Sequence, residues 1–410
     1  MKHTDRSPSY LARLPPAARR SLVRRLLAWF RKTRRDLPWR RTADPYRIWV
    51  SEVMLQQTQI ATVIPYYERF LARFTTVEAL AKASDQAVLK VWQGLGYYRR
   101  AMNLHAAARV VVRDHGGRVP DDPEAFAALP GIGRYTAGAV LSIAFGRRMP
   151  CVDGNAVRVF SRWLAVGEPV TQPKVVSRLW AVAEALVPAP KGERRASSPA
   201  NYIDVFRRPA CGPIASTFGT GKNNPGDWNQ SLMELGARVC TPRTPRCPEC
   251  PVRRECLARR RGLQDRLPLR RKRKAIPHIE VGAGIIWRRG RVLLCKRRAD
   301  AMLGGLWEFP GGKLKVGESI QECICRELME ECDLPVTVGE HLIDVTHAYS
   351  HLRVTLHLFH CRAGPGRVKL LGCDAARWVR PAEIASYPLP AADVRILEAL
   401  ARWRRTGAHV

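Results

Sequence analysis

Four cysteines in a short, proline-rich loop constrain this chain more than any other feature of its sequence. The pattern C-x6-C-x2-C-x5-C is formed by Cys240, Cys247, Cys250 and Cys256, and prolines stiffen the loop between them. Such a loop can wrap four thiolates around one centre, either a [4Fe–4S] cluster or a zinc ion. Zinc more often uses two C-x2-C pairs, whereas one such pair occurs here. Unligated core cysteines are the remaining alternative.

The charge of the chain indicates a polyanionic partner. Its 69 Lys and Arg residues outnumber 36 Asp and Glu, giving a formal net charge of +33. This imbalance is unusual for an enzyme of small neutral substrates, so nucleic acid is the first candidate. A membrane surface would also attract it, but no apolar run approaches the roughly 18 residues of a spanning helix, and we expect no membrane partner. The sequence starts without a recognisable secretory signal, so we expect a cytoplasmic, nucleoid-associated protein.

The hydrophobic pattern divides the 410 residues into an all-helical part and a mixed part. After a tail at 1–20, apolar residues spaced three and four apart predict helices through a domain at 21–262, with an irregular insert at 188–227 and helix again from Trp228. Arg and Lys runs predict a basic linker at 263–278. Residues 279–410 predict an α+β domain, with strands at 280–287 and 291–296 around the turn Arg289-Gly290, and at 354–361.

Two glycines in the segment LPGIGRYT lie between the end of one apolar helix and the start of the next. Gly131 and Gly133 would leave backbone N–H groups exposed with no Cβ beside them, which suits them to hold a DNA phosphate oxygen. A simple helix–helix turn is the alternative. The net charge favours DNA.

Two carboxylates lie in otherwise apolar segments, Glu52 in WVSEVML and Asp153 in CVDGN. A buried carboxyl has a raised pKa and can donate a proton, while a second one that stays ionised can stabilise a developing cation, as in glycoside cleavage. Alternatively, Asp153 caps the helix that follows it.

An acidic segment in the C-terminal part has the pattern G-x5-E-x7-RELMEE, which begins at Gly312. On a helix, Glu327, Glu330 and Glu331 share one face, where like charges repel unless a cation lies among them. Mg²⁺ held against a diphosphate is the usual such cation, so these three are candidate Mg²⁺ ligands. A solvated acidic face is the alternative.

Taken together, these motifs resemble those of the A/G-specific adenine DNA glycosylases (the MutY family) of the helix-hairpin-helix, endonuclease III superfamily. The resemblance covers nearly the whole chain and is carried by WVSEVMLQQT (49–58), GLGYY (94–98), LPGIGRY (129–135), VDGN (152–155) and the four cysteines. It implies an all-α helix-hairpin-helix domain with a [4Fe–4S] loop, followed by a Nudix-like domain. The implied reaction is excision of adenine mispaired with 8-oxoguanine or guanine in double-stranded DNA, by a monomer.

The resemblance also implies roles for residues that match the family motifs. Glu52 would protonate the flipped adenine at N7 and then help to activate water, and Asp153 would stabilise the oxocarbenium sugar. Tyr135 and Asn155 would assist them. Arg40 and Gln230 would line the adenine pocket, Gln57 and Tyr97 would wedge into the base stack, and Tyr349, Ser350 and His351 would read the lesion, with Tyr in place of the family's Phe.

Three alternatives follow from where the chain departs from related families. The endonuclease III type of lyase carries Lys where this chain has Tyr135, so no Schiff base can form from that position and excision without lyase chemistry is expected. The Nudix box is nearly complete, with Asp333 in place of its final glycine, a position that Asp can occupy in the left-handed conformation. The C-terminal domain could therefore be a Mg²⁺-dependent hydrolase of oxidised dGTP, with Glu327 as a candidate base, or a domain that only binds the lesion.

Overall fold

Apolar residues spaced three and four apart build the helices of the N-terminal part, as the sequence predicts. The computed structural model describes residues 10–189, 224–270, 276–349 and 352–405. The helices of the N-terminal part within these ranges are α1 (Pro16–Thr33), α2 (Pro45–Leu55), α3 (Ile60–Arg73), α4 (Val77–Lys82), α5 (Asp85–Trp92), α6 (Arg99–His115), α7 (Pro123–Ala127), α8 (Arg134–Phe145), α9 (Gly154–Trp163), α10 (Pro173–Leu186), α11 (Pro225–Arg238) and α12 (Leu257–Arg260). No helix in the described ranges is both long enough and apolar enough to cross a bilayer.

Side-chain caps fix where these helices begin. The Asp44 carboxylate accepts the backbone N–H of Tyr46 at 2.8 Å at the start of α2. Asn224 does the same for Gly226 at 2.7 Å, so α11 begins at Pro225, three residues before the helix start predicted at Trp228. A proline is tolerated in the first turn because its missing N–H has no partner there in any case. At the other end of a helix, Gly146 takes a φ of 67° and terminates α8.

The chain divides into two compact units. Residues Met1–Ile60 and Val110–Arg273 form the first, and Ala61–Arg109 and Lys274–Val410 form the second. This division differs from the predicted single domain boundary at 262, because residues 61–109, which contain α4 and α5, group with the C-terminal residues. There Gln86 accepts a hydrogen bond from the Trp307 indole at 2.7 Å and donates to the Gly305 carbonyl at 3.1 Å. The predicted domain limits remain predictions.

The predicted basic linker at 263–278 is in part a packed segment of the first unit. Leu267 is buried, and its carbonyl accepts the buried Arg162 guanidinium at 2.9 Å. Val170 donates its N–H to the Leu269 carbonyl at 3.0 Å. The run of Arg and Lys that predicted a linker therefore begins after the buried Leu267, whose burial was not predicted. Of the remainder, residues 271–275 lie outside the described residues, and the first strand already begins at His278.

The second unit is built around a mixed sheet. Its strands are β1 (His278–Arg288), β2 (Arg291–Arg297), β3 (Trp307–Glu308), β4 (Gly311–Lys313), β5 (Val336–Ala348), β6 (Arg353–Ala363) and β7 (Cys373–Val379). The main path runs β3-β2-β1-β6-β5, with β4 on β1 and β7 on β2, and only the β1–β6 pair among these is parallel. The strands predicted at 280–287, 291–296 and 354–361 are confirmed. So is the turn, where Arg289 and Gly290 take φ values of 49° and 72°.

The two faces of this sheet bury different helices. Ile285 belongs to a core with Ile396 of α14 (Ala391–Arg405), while the next residue, Ile286, belongs to a core with Leu328 of α13 (Ile320–Cys332). Adjacent strand residues point to opposite faces, so both faces of β1 are apolar. Because a helix covers each face of the sheet, residues 279–410 form an α+β domain in which both faces of β1 are apolar.

Close backbone contacts make some glycines necessary in the first unit. A Cβ on Gly138, in the middle of α8, would lie 2.0 Å from the Pro150 carbonyl oxygen. We predict that Gly138→Ala lowers the free energy of unfolding of this unit by about 1–3 kcal/mol, because the α8 backbone would have to move away from the Pro150 carbonyl. Chemical denaturation measures this. Gly167→Ala is the matched control because its Cβ meets open space, and equal losses in the two variants would contradict the prediction.

Candidate active site

The Glu52 carboxyl lies at the centre of the first unit's polar site. It is buried on α2 and accepts a hydrogen bond from the Tyr135 hydroxyl at 2.8 Å. Burial, helped by the negative charge of Asp153, raises the pKa of Glu52 from 4.5 to about 7, although the Tyr135 hydrogen bond and Arg40 act against the rise. Glu52 can therefore hold a proton near neutral pH and lose it on demand. A buried acid of this kind suits general acid–base chemistry.

Asp153 caps α9, which confirms the structural interpretation of this residue, while its role toward a developing cation stays a prediction. Its carboxylate accepts the Ala156 N–H at the start of α9 at 2.7 Å and the Asn155 side-chain amide at 2.7 Å. Burial raises its pKa, and these hydrogen bonds oppose the rise. Because Asp153 acts on the pKa of both Glu52 and Tyr135, the two carboxyls and the phenol form one electrostatic group.

Arg158 ties this group to the cysteine loop. Its guanidinium donates to the Asn155 side-chain oxygen, to the Gly236 carbonyl and to the Cys240 carbonyl, each at 2.7 Å. Gly236 makes room for Asn155, since a Cβ there would lie 2.5 Å from the Asn155 Cβ. The sequence reading did not single out Arg158. The feature that could have indicated Arg158 is its position three residues after Asn155, on a helix whose other residues are mostly buried.

Glu234 is a second residue that the sequence reading missed. Its side chain is fully buried, and it accepts Arg35 at 2.8 and 2.9 Å and Arg40 at 3.0 Å. Burial alone would raise its pKa, but these two guanidinium groups outweigh it and hold the pKa at about 2. Arg40 also donates from Nε to the Gln230 side-chain oxygen at 3.1 Å. Arg40 and Gln230 are therefore hydrogen-bonded to each other, and Arg40 also binds the Glu234 carboxylate, which stays ionised.

The residues of the predicted phosphate site and the predicted wedge are all exposed, and three of the four have a positive φ. Gly131 (φ 76°) and Gly133 are both exposed in the turn before α8, and Gly133 occupies the helix N-cap. Gln57 and Tyr97 are exposed and take φ values of 57° and 50°, a left-handed conformation that is costly for residues other than glycine. Strain of this kind concentrates at functional positions.

The four cysteines of the loop surround one cavity, which also includes Arg162 and Arg259 in its lining. Arg162 donates to the Cys240 sulfur at 3.3 Å and to the Thr241 carbonyl at 2.7 Å, which anchors the loop on α9. Burial raises the pKa of Cys250 to about 12 and that of Cys256 to about 11, and neighbouring thiols add to both shifts. Thiols that oppose each other's ionisation fit a cationic centre bound among them.

The carboxylates of the Nudix-like segment lie around an arginine. Arg326 binds Glu318 at 2.6 Å, Glu327 at 2.7 Å and Glu330 at 3.1 Å. Burial and the charges of neighbouring glutamates raise the pKa of Glu331 to about 7. Within the described ranges, no three of these carboxylates bring ligand oxygens within 4.8 Å of one another. Their Mg²⁺ role stays a prediction, while Asp333 does adopt the expected left-handed conformation, with a φ of 47°.

The predicted lesion-reading loop is described in part. Tyr349 is partly buried, stands edge-on to the His347 ring at a centroid distance of 4.6 Å, and donates its N–H to the Leu352 carbonyl at 2.8 Å. Burial raises its pKa to about 12. Ser350 and His351 lie outside the described residues.

Comparison with known proteins agrees with this two-part architecture. A model of the HhH-GPD superfamily of base excision DNA repair proteins matches residues 50–185, and a NUDIX domain model matches 282–399. The adenine DNA glycosylase of Rattus norvegicus is 33% identical over 93% of this chain and 78% of its own length. That of Homo sapiens is 35% identical over 82% of this chain, which spans 65% of the human protein. A thermostable thymine-DNA glycosylase of known structure is 31% identical over 60% of this chain and 98% of its own, with a TM-score of 0.47.

The burial of Glu52 predicts a pH-dependent cost to stability. A carboxyl whose pKa rises from 4.5 unfolded to about 7 folded destabilises the fold progressively as pH rises between these values, by up to about 3 kcal/mol. We predict that Glu52→Gln removes this cost, so its melting temperature exceeds that of the unsubstituted protein at pH 8 and matches it near pH 4.5. The exposed Glu68→Gln is the control. A difference between Glu52→Gln and the unsubstituted protein that does not change with pH would refute the prediction.

Proposed function

This chain belongs to the adenine DNA glycosylase family of DNA repair enzymes, and we propose that it excises adenine paired with 8-oxoguanine or guanine in double-stranded DNA. The observation that carries the proposal is the buried Glu52 carboxyl, which is hydrogen-bonded to Tyr135 and electrostatically coupled to Asp153. An N-glycosidic bond breaks when the leaving base accepts a proton and the sugar cation is stabilised. Two carboxyls with different protonation states supply both.

Glu52 is the acid in this mechanism. With a pKa of about 7, it is protonated in a substantial fraction of molecules at neutral pH and would donate to N7 of the extruded adenine. Its carboxylate would then accept a proton from the attacking water. Tyr135 holds the carboxyl in place, and burial raises the phenol's own pKa well above the ordinary value, so the hydroxyl stays a donor. A phenol at this position offers no amine for a Schiff base, which supports hydrolysis without strand cleavage.

Asp153 would stabilise the oxocarbenium sugar. Its two oxygens are already fixed by the Ala156 N–H and the Asn155 amide, so its negative charge needs no rearrangement when the cation forms. Arg158 fixes Asn155 in turn. Charge that is oriented before the reaction is the most effective form of electrostatic stabilisation.

Arg40 and Gln230 would recognise the adenine. Arg40 donates to the Gln230 oxygen, which directs the amide NH₂ of Gln230 away from the guanidinium and makes it available to a base edge. The Glu234 carboxylate pairs with both Arg40 and Arg35 and holds them in place. The neutral Gln230 amide can therefore read the edge of a neutral base.

Reaching the adenine requires base extrusion, because a base inside a duplex cannot contact a buried carboxyl. The exposed Gln57 and Tyr97 would fill the space that the base vacates, and Gly131 and Gly133 would hold a phosphate. The Nudix-like domain would read 8-oxoguanine through Tyr349, Ser350 and His351. We propose that the protein acts as a monomer, in the cytoplasm at the nucleoid.

Cys240, Cys247, Cys250 and Cys256 would hold a [4Fe–4S] cluster, since four thiols line one cavity and no carboxylate or histidine does. When bound, the cluster would cross-link the loop through iron–thiolate bonds and would take no part in the hydrolysis. Arg158 and Arg162 link this loop to the helix that carries Asp153 at its N-cap. The loop's role in the reaction is to position that helix.

We predict that the full chain removes adenine from a duplex that pairs it with 8-oxoguanine, and that Glu52→Gln binds this duplex but cleaves at least 100-fold more slowly because general acid catalysis is lost. Single-turnover cleavage and filter binding measure the two. As pH rises through about 7, Glu52 loses its proton and the rate should fall.

The control for this assay is Glu184→Gln, which changes a half-buried glutamate of the same unit. A duplex containing thymine glycol tests the lyase alternative in parallel. Retained cleavage in Glu52→Gln removes that residue from its role, and faster release of thymine glycol than of adenine overturns the proposal.

The left-handed backbone at Gln57 allows its wedge role to be tested separately from stability. We predict that Gln57→Gly keeps or raises the melting temperature, because glycine takes a φ of 57° without strain. The excision rate should nevertheless fall about tenfold or more, since an unstabilised extruded base costs a few kcal/mol. Arg289→Gly relieves the same kind of strain in the β1–β2 turn and serves as the control. Equal excision rates in these two variants would remove the wedge role.

A further inference from the structure

Three buried cysteines of the Nudix-like domain, none of them part of the proline-rich loop, lie together. Cys295 is on β2, Cys332 ends α13 and Cys373 begins β7. Their Sγ atoms all lie within 4.8 Å of one another, and those of Cys295 and Cys332 are 3.6 Å apart. Their exposures are 2%, 0% and 9%. We call these three residues the thiol triad.

An irregularity in the sheet brings two members of the triad to one face. Cys295 pairs with Ala376 across β2 and β7, and Arg297 pairs with Cys373. Two steps along β2 therefore correspond to three along β7, because a bulge inserts one residue there. In a regular ladder, residues an odd number apart point to opposite faces. The bulge turns Cys373 onto the face of Cys295, where it joins the core under α13.

A second device brings Cys373 to the end of α13. The N–H groups of Leu371 and Gly372 both donate to the Glu331 carbonyl at 3.0 Å, and the Lys369 N–H donates to the Cys332 carbonyl at 2.9 Å. Gly372 is required for this approach, since a Cβ there would lie 2.7 Å from the Glu331 Cγ. The segment before Cys373 is thus fastened to the helix terminus that carries Cys332. Two independent features of the backbone position the triad.

The sulfur spacing matches that of a thiolate-bound metal. With Zn–S bonds of about 2.3 Å in tetrahedral geometry, two sulfur ligands lie about 3.8 Å apart. The Cys295–Cys332 separation is 3.6 Å, and the Cys373 sulfur lies within 4.8 Å of both. We propose that Cys295, Cys332 and Cys373 bind one Zn²⁺, with water as the fourth ligand. Each thiol releases its proton to solvent on binding, so three thiols and Zn²⁺ give a site of net charge −1 and three protons.

Zinc here would act as a structural cross-link. It would join the paired strands β2 and β7 to the C-terminal end of α13, which otherwise contacts them through apolar packing and the loop bonds described above. Three sulfur ligands select thiophilic ions over Mg²⁺, which prefers oxygen. The site would therefore be chemically separate from any Mg²⁺ at the glutamates of α13.

The test uses the full chain with its iron content measured in every sample. We expect the unsubstituted protein incubated with Zn²⁺ and desalted to retain one zinc more per chain than Cys373→Ala, at equal iron content. Cys361→Ala, which alters a buried cysteine of the same core outside the triad, should retain the same zinc as the unsubstituted protein. Because Cys373→Ala could fold poorly, Co²⁺ added to the unsubstituted protein provides a second readout, with thiolate-to-cobalt absorption expected.

Three results would overturn the proposal. One is equal zinc in Cys373→Ala and the unsubstituted protein at equal iron content. Another is the absence of thiolate-to-cobalt absorption at saturating Co²⁺. The third is a Cys295–Cys332 disulfide, found by peptide mapping in protein purified without reductant, which would assign the pair to an oxidised cross-link. Loss of zinc in Cys373→Ala and retention in Cys361→Ala would establish the site.

Discussion

The burial of the Glu52 carboxyl beside the negative charge of Asp153 is the constraint on which the rest of the active site depends. Burial disfavours the ionised form of Glu52 and the charge of Asp153 adds to this effect, so the pKa of Glu52 rises to about 7. Asp153 has backbone and amide donors, which favour its ionised form, whereas Glu52 has the single hydroxyl of Tyr135. The hydrogen-bond environments of the two carboxyls thus differ before any substrate binds.

Arg40, the positively charged residue that acts on Glu52, forms its ion pair with Glu234 instead. Arg40 is close enough to lower the pKa of Glu52, and a free guanidinium there would work against a protonated acid. Glu234 takes up Arg40 together with Arg35, which leaves Glu52 under the control of burial. Glu234 is therefore a condition for the acid, although it is on a different helix and has no predicted role in the chemistry. We regard it as the residue that completes the site.

Much of the fold followed from the sequence because it rests on local patterns. Helical periodicity, the Arg289-Gly290 turn and the left-handed Asp333 are decided within a few residues. The resemblance to a family pointed to Arg40 and Gln230, and the hydrogen bond between them is seen in the structure. The features that could not be predicted from the sequence depend on contacts between segments that are distant in the chain. Glu234 and Arg158 look like ordinary helix residues until packing removes them from water, and Leu267 is hidden among the arginines that suggested a linker. The bulge that places Cys373 has no local signature.

The two carboxylate groups of the chain show why composition alone does not identify chemistry. In the Nudix-like domain, Glu318, Glu327 and Glu330 each contact the Arg326 guanidinium. In the first unit, neither Glu52, which is buried, nor Asp153, which is partly buried, has an ion pair among the described contacts. A carboxylate that contacts a guanidinium already has a cationic partner within the protein. An unbalanced buried pair is stabilised by whatever brings positive charge between its members, and the oxocarbenium sugar of an extruded nucleotide is such a charge.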